Sequence, residues 1–222
     1  GLGVLSRLPV VRIVSHRLAA LDEAPGAQAS GPAPQFARDL LRVDVLLQPG
    51  CEVAIYGVHF KSKRVEINEV SGTEQDSAPR RLAEARTARR IIQEEMAQAG
   101  HGRFLIMGDF NDGPNSAPAR ELTQVAGWEN LTPAVSGAQS VALVDALAGL
   151  EPLDRITYSG GKRGHGDAEE ALASAIDQIW LSPVLAAWQL PLAEPGAVIL
   201  RDGPCAQASD HWPVRIKLMR GK

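Results

Sequence analysis

"FLIMGDFNDGPNS", residues 104–116, drives four apolar side chains straight into a turn of carboxylates, amides and glycines with no lysine or arginine among them. A continuously apolar run of this kind is the pattern of a strand covered on both faces. Gly108 and Gly113 permit dihedrals that other residues avoid, which places Asp109 and Asn111 at the mouth of a sheet. Strand alternation then points both side chains the same way. Two readings stay open on this stretch alone. One is an asparagine–aspartate turn with hydrogen-bonded side chains and no function. The other is a set of hard oxygen donors whose mutual repulsion is relieved by magnesium, manganese or calcium.

The flanking sequence supplies the rest of a layered fold. Residues 79–99, "PRRLAEARTARRIIQEEMAQA", carry Leu82, Ala85, Ala88, Ile92, Met96 and Ala99 at helical spacing, with Pro79 as start and Gly100 as stop. "LRVDVLLQ" alternates Val43, Val45 and Leu47 against Arg42, Asp44 and Gln48, and with "VAIYGVHF" it predicts an antiparallel hairpin with one buried face. "VLSRLPVV", "AIDQIWLSP" and "WPVRIKLM" also read as strands. Residues 22–36 read as a loop, and residues 160–175 as a loop followed by a helical turn. There is no internal repeat and no linker, so the whole of residues 1–222 is expected to form one α/β domain.

Composition agrees: 222 residues, 45% hydrophobic and 22% charged, suit a single core. Cys51 and Cys205 are too few for a disulfide scaffold and read as structural. A net charge of −3 and a pI near 6.0 exclude a uniformly basic nucleic-acid surface. Lys61, Lys63 and Arg64 form one basic cluster and Arg80, Arg81, Arg86, Arg89 and Arg90 another; solvated faces are the commoner meaning of both. No apolar stretch is long enough for a membrane span, and Ser6, Arg7 and Arg12 interrupt any signal peptide. The expectation is a soluble protein, cytoplasmic or secreted.

Three further stretches bear on the acidic turn. "GVHFKSK" ends a strand with His59 and then Ser62, "SAIDQIWLS" opens one with Asp177, and "ASDHWPV" sets Asp210 beside His211. Each is commonplace by itself. In order, His-x-x-Ser, Gly-Asp-Phe-Asn, Ile-Asp-x-Ile and Ser-Asp-His resemble the signature of the endonuclease/exonuclease/phosphatase superfamily, the metal-dependent phosphohydrolases similar to pancreatic deoxyribonuclease. "GLGVLSRLPV" is similar to that family's glycine-to-serine-arginine-proline strand, and the resemblance covers about residues 1–218.

The resemblance implies a four-layer α/β sandwich of two mostly antiparallel sheets flanked by helices, with a site where the loops converge at one end. It implies a metal-dependent phosphodiester hydrolase of nuclease type. His211 would be the general base or a direct stabiliser of the phosphorane, oriented by Asp177. Asp210 would ligate metal, and Asp109 would contact metal or the attacking water. Asn111 would donate to a non-bridging phosphate oxygen, while His59 would contact the phosphate and assist the leaving group. Lys61, Ser62 and Asn115 are candidate substrate contacts, and "TYSGGKRGHG" a flexible lip carrying Lys162, Arg163 and His165. The implied cofactor is Mg2+, with Mn2+ or Ca2+ as alternatives, and the implied partner is a phosphodiester such as DNA or RNA.

The chain departs from the pattern in one respect. Family members carry an asparagine and a glutamate metal ligand upstream of the first strand seen here, so the expectation is a domain whose first two strands and a helix have been removed or are supplied by another chain. Weak magnesium affinity, little activity and an exposed sheet edge prone to dimerisation would follow. Within the family, the motifs look most like bacterial secreted or uncharacterised nuclease-like members. Ile176-Asp177-Gln178 differs from the Cys-Asp-Arg of inositol phosphatases, and "DGPNS" from the loop of abasic-site endonucleases. A small-molecule or lipid phosphodiesterase or phosphatase is the competing enzyme, and a catalytically impaired binding module the competing class.

Overall fold

Alternating and continuous apolar runs build a six-stranded sheet whose central strands are covered on both faces. The computed structural model describes residues 1–23, 33–63, 74–128, 131, 142–158, 174–190, 196–202, 204 and 208–219, with only the backbone of 74–76. The strands are β1 (Val10–Ser15), β2 (Leu40–Gln48), β3 (Cys51–His59), β4 (Phe104–Asp109), β5 (Val144–Asp145), β6 (Asp177–Leu181), β7 (Ala197–Ile199) and β8 (Val214–Ile216). The helices are α1 (Glu74–Ala99), α2 (Ala117–Thr123) and α3 (Pro183–Ala186). The large sheet has the order β1-β2-β3-β4-β6-β5, and β7 pairs with β8 in a second sheet.

Every described strand pair is antiparallel except β3 with β4. Parallel neighbours need a long crossover, and α1 is that crossover. Tyr56, Val58, Ile106 and Trp180 of the large sheet share one apolar cluster with Ala85, Ala88, Ile92 and Met96 of α1 and Leu122 of α2. On the opposite face Val43, Val45, Val53, Leu105, Ile179 and Leu181 form a second cluster, against which Val214, Ile216 and Leu218 pack. The layers are therefore helix, large sheet and small sheet, the mixed α/β arrangement that the motifs implied.

Local details differ from the sequence reading for identifiable reasons. β1 begins at Val10 rather than Val4, because Pro9 cannot donate to the ladder. Its side chains are largely exposed: Val10, Val11 and Ile13 all lie at the surface of this edge strand. α1 begins at Glu74 and holds Pro79 inside it. Pro79 has no N–H to give the ladder, so the turn ahead of it lacks one bond yet is still helical. At the other end Gly100, at φ +68°, donates its N–H to the Met96 carbonyl at 3.0 Å and stops the helix as expected.

The largest difference is in the hairpin. The polar face of β2 is not solvated, since Arg42 is 2% and Asp44 4% exposed. Arg42 donates to both Asp44 oxygens at 2.8 Å and lies 3.3 Å from Glu95 of α1. Glu95 also accepts the Tyr56 hydroxyl at 2.8 Å and lies 3.4 Å from His16 Nε2. Alternation correctly separates the two faces, but the long α1 covers the one that carries the charges. No described helix is long and apolar enough to cross a membrane. Arg64, Lys162, Arg163, His165 and Cys205 lie outside the described residues.

Candidate active site

Three strand ends meet at one edge of the large sheet. His59 ends β3, Asp109 ends β4 and Asp177 opens β6, and the ladder makes His59 the Cα partner of Asp109 and Asp109 that of Asp177. Gly108 makes this close approach possible. Its φ is +139°, and a Cβ there would fall 2.0 Å from the Val58 carbonyl oxygen of the neighbouring strand. Residues far apart in the chain thus become lateral neighbours.

Each carboxylate has a histidine. Asp177 Oδ2 lies 2.8 Å from His211 Nδ1, and Asp109 Oδ2 lies 3.4 Å from His59 Nε2. Both imidazoles are about one-third exposed, at 32% and 30%, so a ligand can reach them. Burial pushes His59 below its ordinary pKa, reinforced by the positive charges of Arg38 and the Gly1 amine and opposed by Asp109. Burial pushes Asp109 upward, aided by Asp177 and opposed by the Asn111 N–H and the two histidines. Both shifts favour the neutral forms of the His59–Asp109 pair.

The acidic turn is held by the protein itself. Asp109 Oδ1 accepts the Asn111 backbone N–H at 2.7 Å, and the Asn111 amide donates to Phe60 O at 3.0 Å and to Asp109 Oδ2 at 3.2 Å. Asn111 sits at φ +50°, a left-handed conformation that asparagine tolerates better than most residues. A turn, not strand alternation, brings it back against Asp109. Both of its amide N–H groups are engaged here, so the expected donation to a phosphate requires one of these bonds to open. Asp112 is balanced by protein cations: Arg81 Nε lies 3.3 Å and Lys63 Nζ 3.2 Å from its carboxylate. The missing positive charge of the opening stretch is supplied in part by α1.

A hard divalent cation needs about six oxygen ligands. Among the described residues no group of three or more His, Cys, Asp and Glu side chains is arranged to hold a metal ion. Asp109 is engaged by Asn111 and His59, Asp177 by His211, and Asp210 lies exposed on the segment leading to His211. The described side chains do not by themselves form a metal cage.

The remaining predicted residues are placed unevenly. Lys61 is buried at 9% exposure, its N–H donating to Glu84 Oε2 at 2.7 Å, while Ser62 is half-buried beside it. Asn115 is exposed on the turn ahead of α2, whose Ser116 side chain accepts the Ala119 N–H. The arginines of α1 are committed to acidic partners or carbonyls: Arg80 to Gln35 O, Arg86 to Glu23 and Glu121, Arg89 to Glu121, and Arg90 to Asp22. Arg81, the fifth of the cluster, is buried at 2% exposure against Ser77 and Asp112, so it does not lie on the solvated face expected of it.

Thr157 and Tyr158, the first two residues of the stretch expected to form a flexible lip, are instead fixed beside the site, Thr157 fully buried and Tyr158 bridged to Ser174 and His211. The Tyr158 ring packs 4.9 Å from the His211 ring, centre to centre, and Thr157 hydrogen-bonds around Asp177. The pair appears in the sequence inside "TYSG", but a threonine acting through its neighbours' backbone carries no spacing signal.

Comparison with known proteins supports the same frame. A search of curated protein sequences returned no match. Solved structures with this fold include the truncated TDP2 of Caenorhabditis elegans, at TM-score 0.50 and 17% identity over 93% of this chain and 65% of that one. Longer C. elegans TDP2 matches at 0.52 and 17%, over 93% and 50%. The 3'-5' exonuclease NExo of Neisseria meningitidis matches at 0.52 and 17%, over 97% and 73%. The chain thus spans about half to two-thirds of the length of these TDP2 structures. Residues 1–211 match the Endonuclease/Exonuclease/phosphatase family, and the chain belongs to that family.

Proposed function

We propose that the protein is a phosphodiester hydrolase of nuclease type in which Asp177 orients His211. The observation that carries this reading is the 2.8 Å Asp177–His211 contact at the strand end that it shares with the His59–Asp109 pair. Hydrolysis of a phosphodiester needs an activated water, relief of phosphoryl charge and a proton for the leaving oxygen. With Nδ1 held by Asp177, His211 is left with Nε2 as the nitrogen that exchanges a proton. It takes a proton from water or donates a hydrogen bond to the phosphorane. His59 stands two strands away on β3, beyond β4, and in this reading it contacts the phosphate and assists departure of the alkoxide.

The family's nuclease members and the structural likeness to a 3'-5' exonuclease favour nucleic acid as substrate. The test compares turnover of single-stranded DNA, RNA and a soluble choline phosphodiester by the chain and by His211→Ala. Nucleic-acid hydrolysis that disappears with His211 supports the reading. Selective hydrolysis of the choline ester would move the substrate to the lipid class, and undiminished turnover in His211→Ala would end the proposal.

A further inference from the structure

We infer that Thr157 is the positioning residue of the Asp177–His211 pair, fixing the main chain on both sides of the contact. This rests on the reading of that pair as catalytic, and it concerns a residue no motif assigns.

Thr157 is fully buried. Its Oγ1 accepts the N–H of Ile176 at 3.2 Å and that of Asp177 at 3.0 Å. Its carbonyl accepts the N–H of Trp212 at 2.7 Å, and its own N–H donates to Ser174 O at 3.0 Å. One residue therefore touches the backbone at Asp177 itself and at the residue after His211. Tyr158 continues the splice with bridges to Ser174 and to His211.

The two amides on one hydroxyl are informative. Along an extended strand successive N–H groups point in opposite directions. Those of Ile176 and Asp177 converge instead, so the chain bends as it enters β6, and the bend needs an acceptor with two lone pairs. A hydroxyl provides both. Its own proton has the Ser174 carbonyl within 3.4 Å, which completes its bonding capacity. A valine of the same shape would fill the space and leave two amide groups unpaired, one of them on buried Ile176. The entry of β6 would then relax and carry the Asp177 carboxylate with it.

Misplacement of a catalytic group by about 1 Å costs on the order of 10²-fold in rate. Thr157→Val is therefore expected to lower kcat by about ten- to a hundredfold with KM nearly unchanged. Thr157→Ser, which keeps the hydroxyl, should restore the parent rate. The independent readout is the downfield proton resonance of the His211 Nδ1–H···Asp177 bond, assigned by its loss in His211→Ala. It should weaken or move in Thr157→Val and persist in Thr157→Ser, whether or not turnover is measured. If Thr157→Val does not fold, Thr157→Ala carries the same expectations. A variant that melts earlier but keeps both kcat and the resonance would overturn the inference and leave Thr157 a packing residue. Undiminished turnover in His211→Ala would instead sink the catalytic reading, while the resonance would still report on Thr157.

Discussion

Asp109 and Asp177 are Cα partners at the shared end of β4 and β6, and each carboxylate faces its own histidine. Two acids side by side repel when both are charged. Burial and the neighbouring Asp177 push Asp109 toward its neutral form, which lessens that repulsion. Carboxylates held in different environments are the usual sign of divided labour in a site.

Asp177→Asn keeps the shape of the pair but reverses one hydrogen-bonding role. It is expected to lower kcat by about 10²- to 10⁴-fold, with a smaller effect on KM. Because the two residues act as a unit, the double variant with His211→Ala should be no slower than His211→Ala alone. Steady-state kinetics on all three variants checks this.

His59 gives stability a pH dependence. Its folded pKa lies below the ordinary 6.5, so just beneath that value the unfolded chain binds a proton that the folded one refuses. Stability should fall as pH drops through this window. Asp109 acts in the opposite sense, since its raised folded pKa makes stability fall as pH rises through the interval above 3.8. Urea melts between these limits should show His59→Gln losing the first slope and Asp109→Asn the second.

Glu95 dominates a lower window. Burial would raise its pKa, but contacts from His16, Tyr56 and Arg42 outweigh burial and hold it down at about 2. The resulting stabilisation is complete above the ordinary 4.5 and is lost as pH falls toward 2. It amounts at most to something on the order of 3 kcal/mol. Glu95→Gln should flatten the acid limb of a stability–pH curve and leave turnover near neutrality unchanged.

Gly108→Ala should be among the most disruptive single-methyl changes in the chain. The added Cβ would meet the Val58 carbonyl at 2.0 Å in a backbone conformation already closed to alanine. A loss of several kcal/mol, or failure to fold, is expected. Thermal melting against Gly113→Ala, where a Cβ meets nothing within 4 Å, isolates the effect.

Magnesium should bind this chain weakly, with a dissociation constant of about 1 mM or above, because the carboxylates of Asp109 and Asp177 are already engaged by Asn111, His59 and His211. Calorimetric titration decides the matter, and micromolar binding would reveal ligands that this reading lacks.

Much of the molecule was legible in the sequence. The hairpin, the crossover helix with its glycine stop and the apolar strand entering Gly-Asp-Phe-Asn all follow from local periodicity. The candidate site residues were named from the resemblance of four ordered motifs to a known family, each motif being commonplace by itself. The buried Arg42–Asp44–Glu95 cluster was not legible, since alternation reports which residues share a face and not what covers it. Nor were the Arg81–Asp112 pair and the Thr157 bonds, each of which joins segments that local spacing leaves unrelated.

Short-range pattern was enough to specify the hairpin, the crossover helix and the apolar strand that enters the acidic turn, whereas β5, β7, α2 and α3 left no such signal. Long-range contact settles which histidine meets which carboxylate, the return of Asn111 onto Asp109, and the pairing of Asp112 with Arg81 of α1 and with Lys63. Those outcomes depend on register across strands and on long-range charge pairing, which no local stretch encodes.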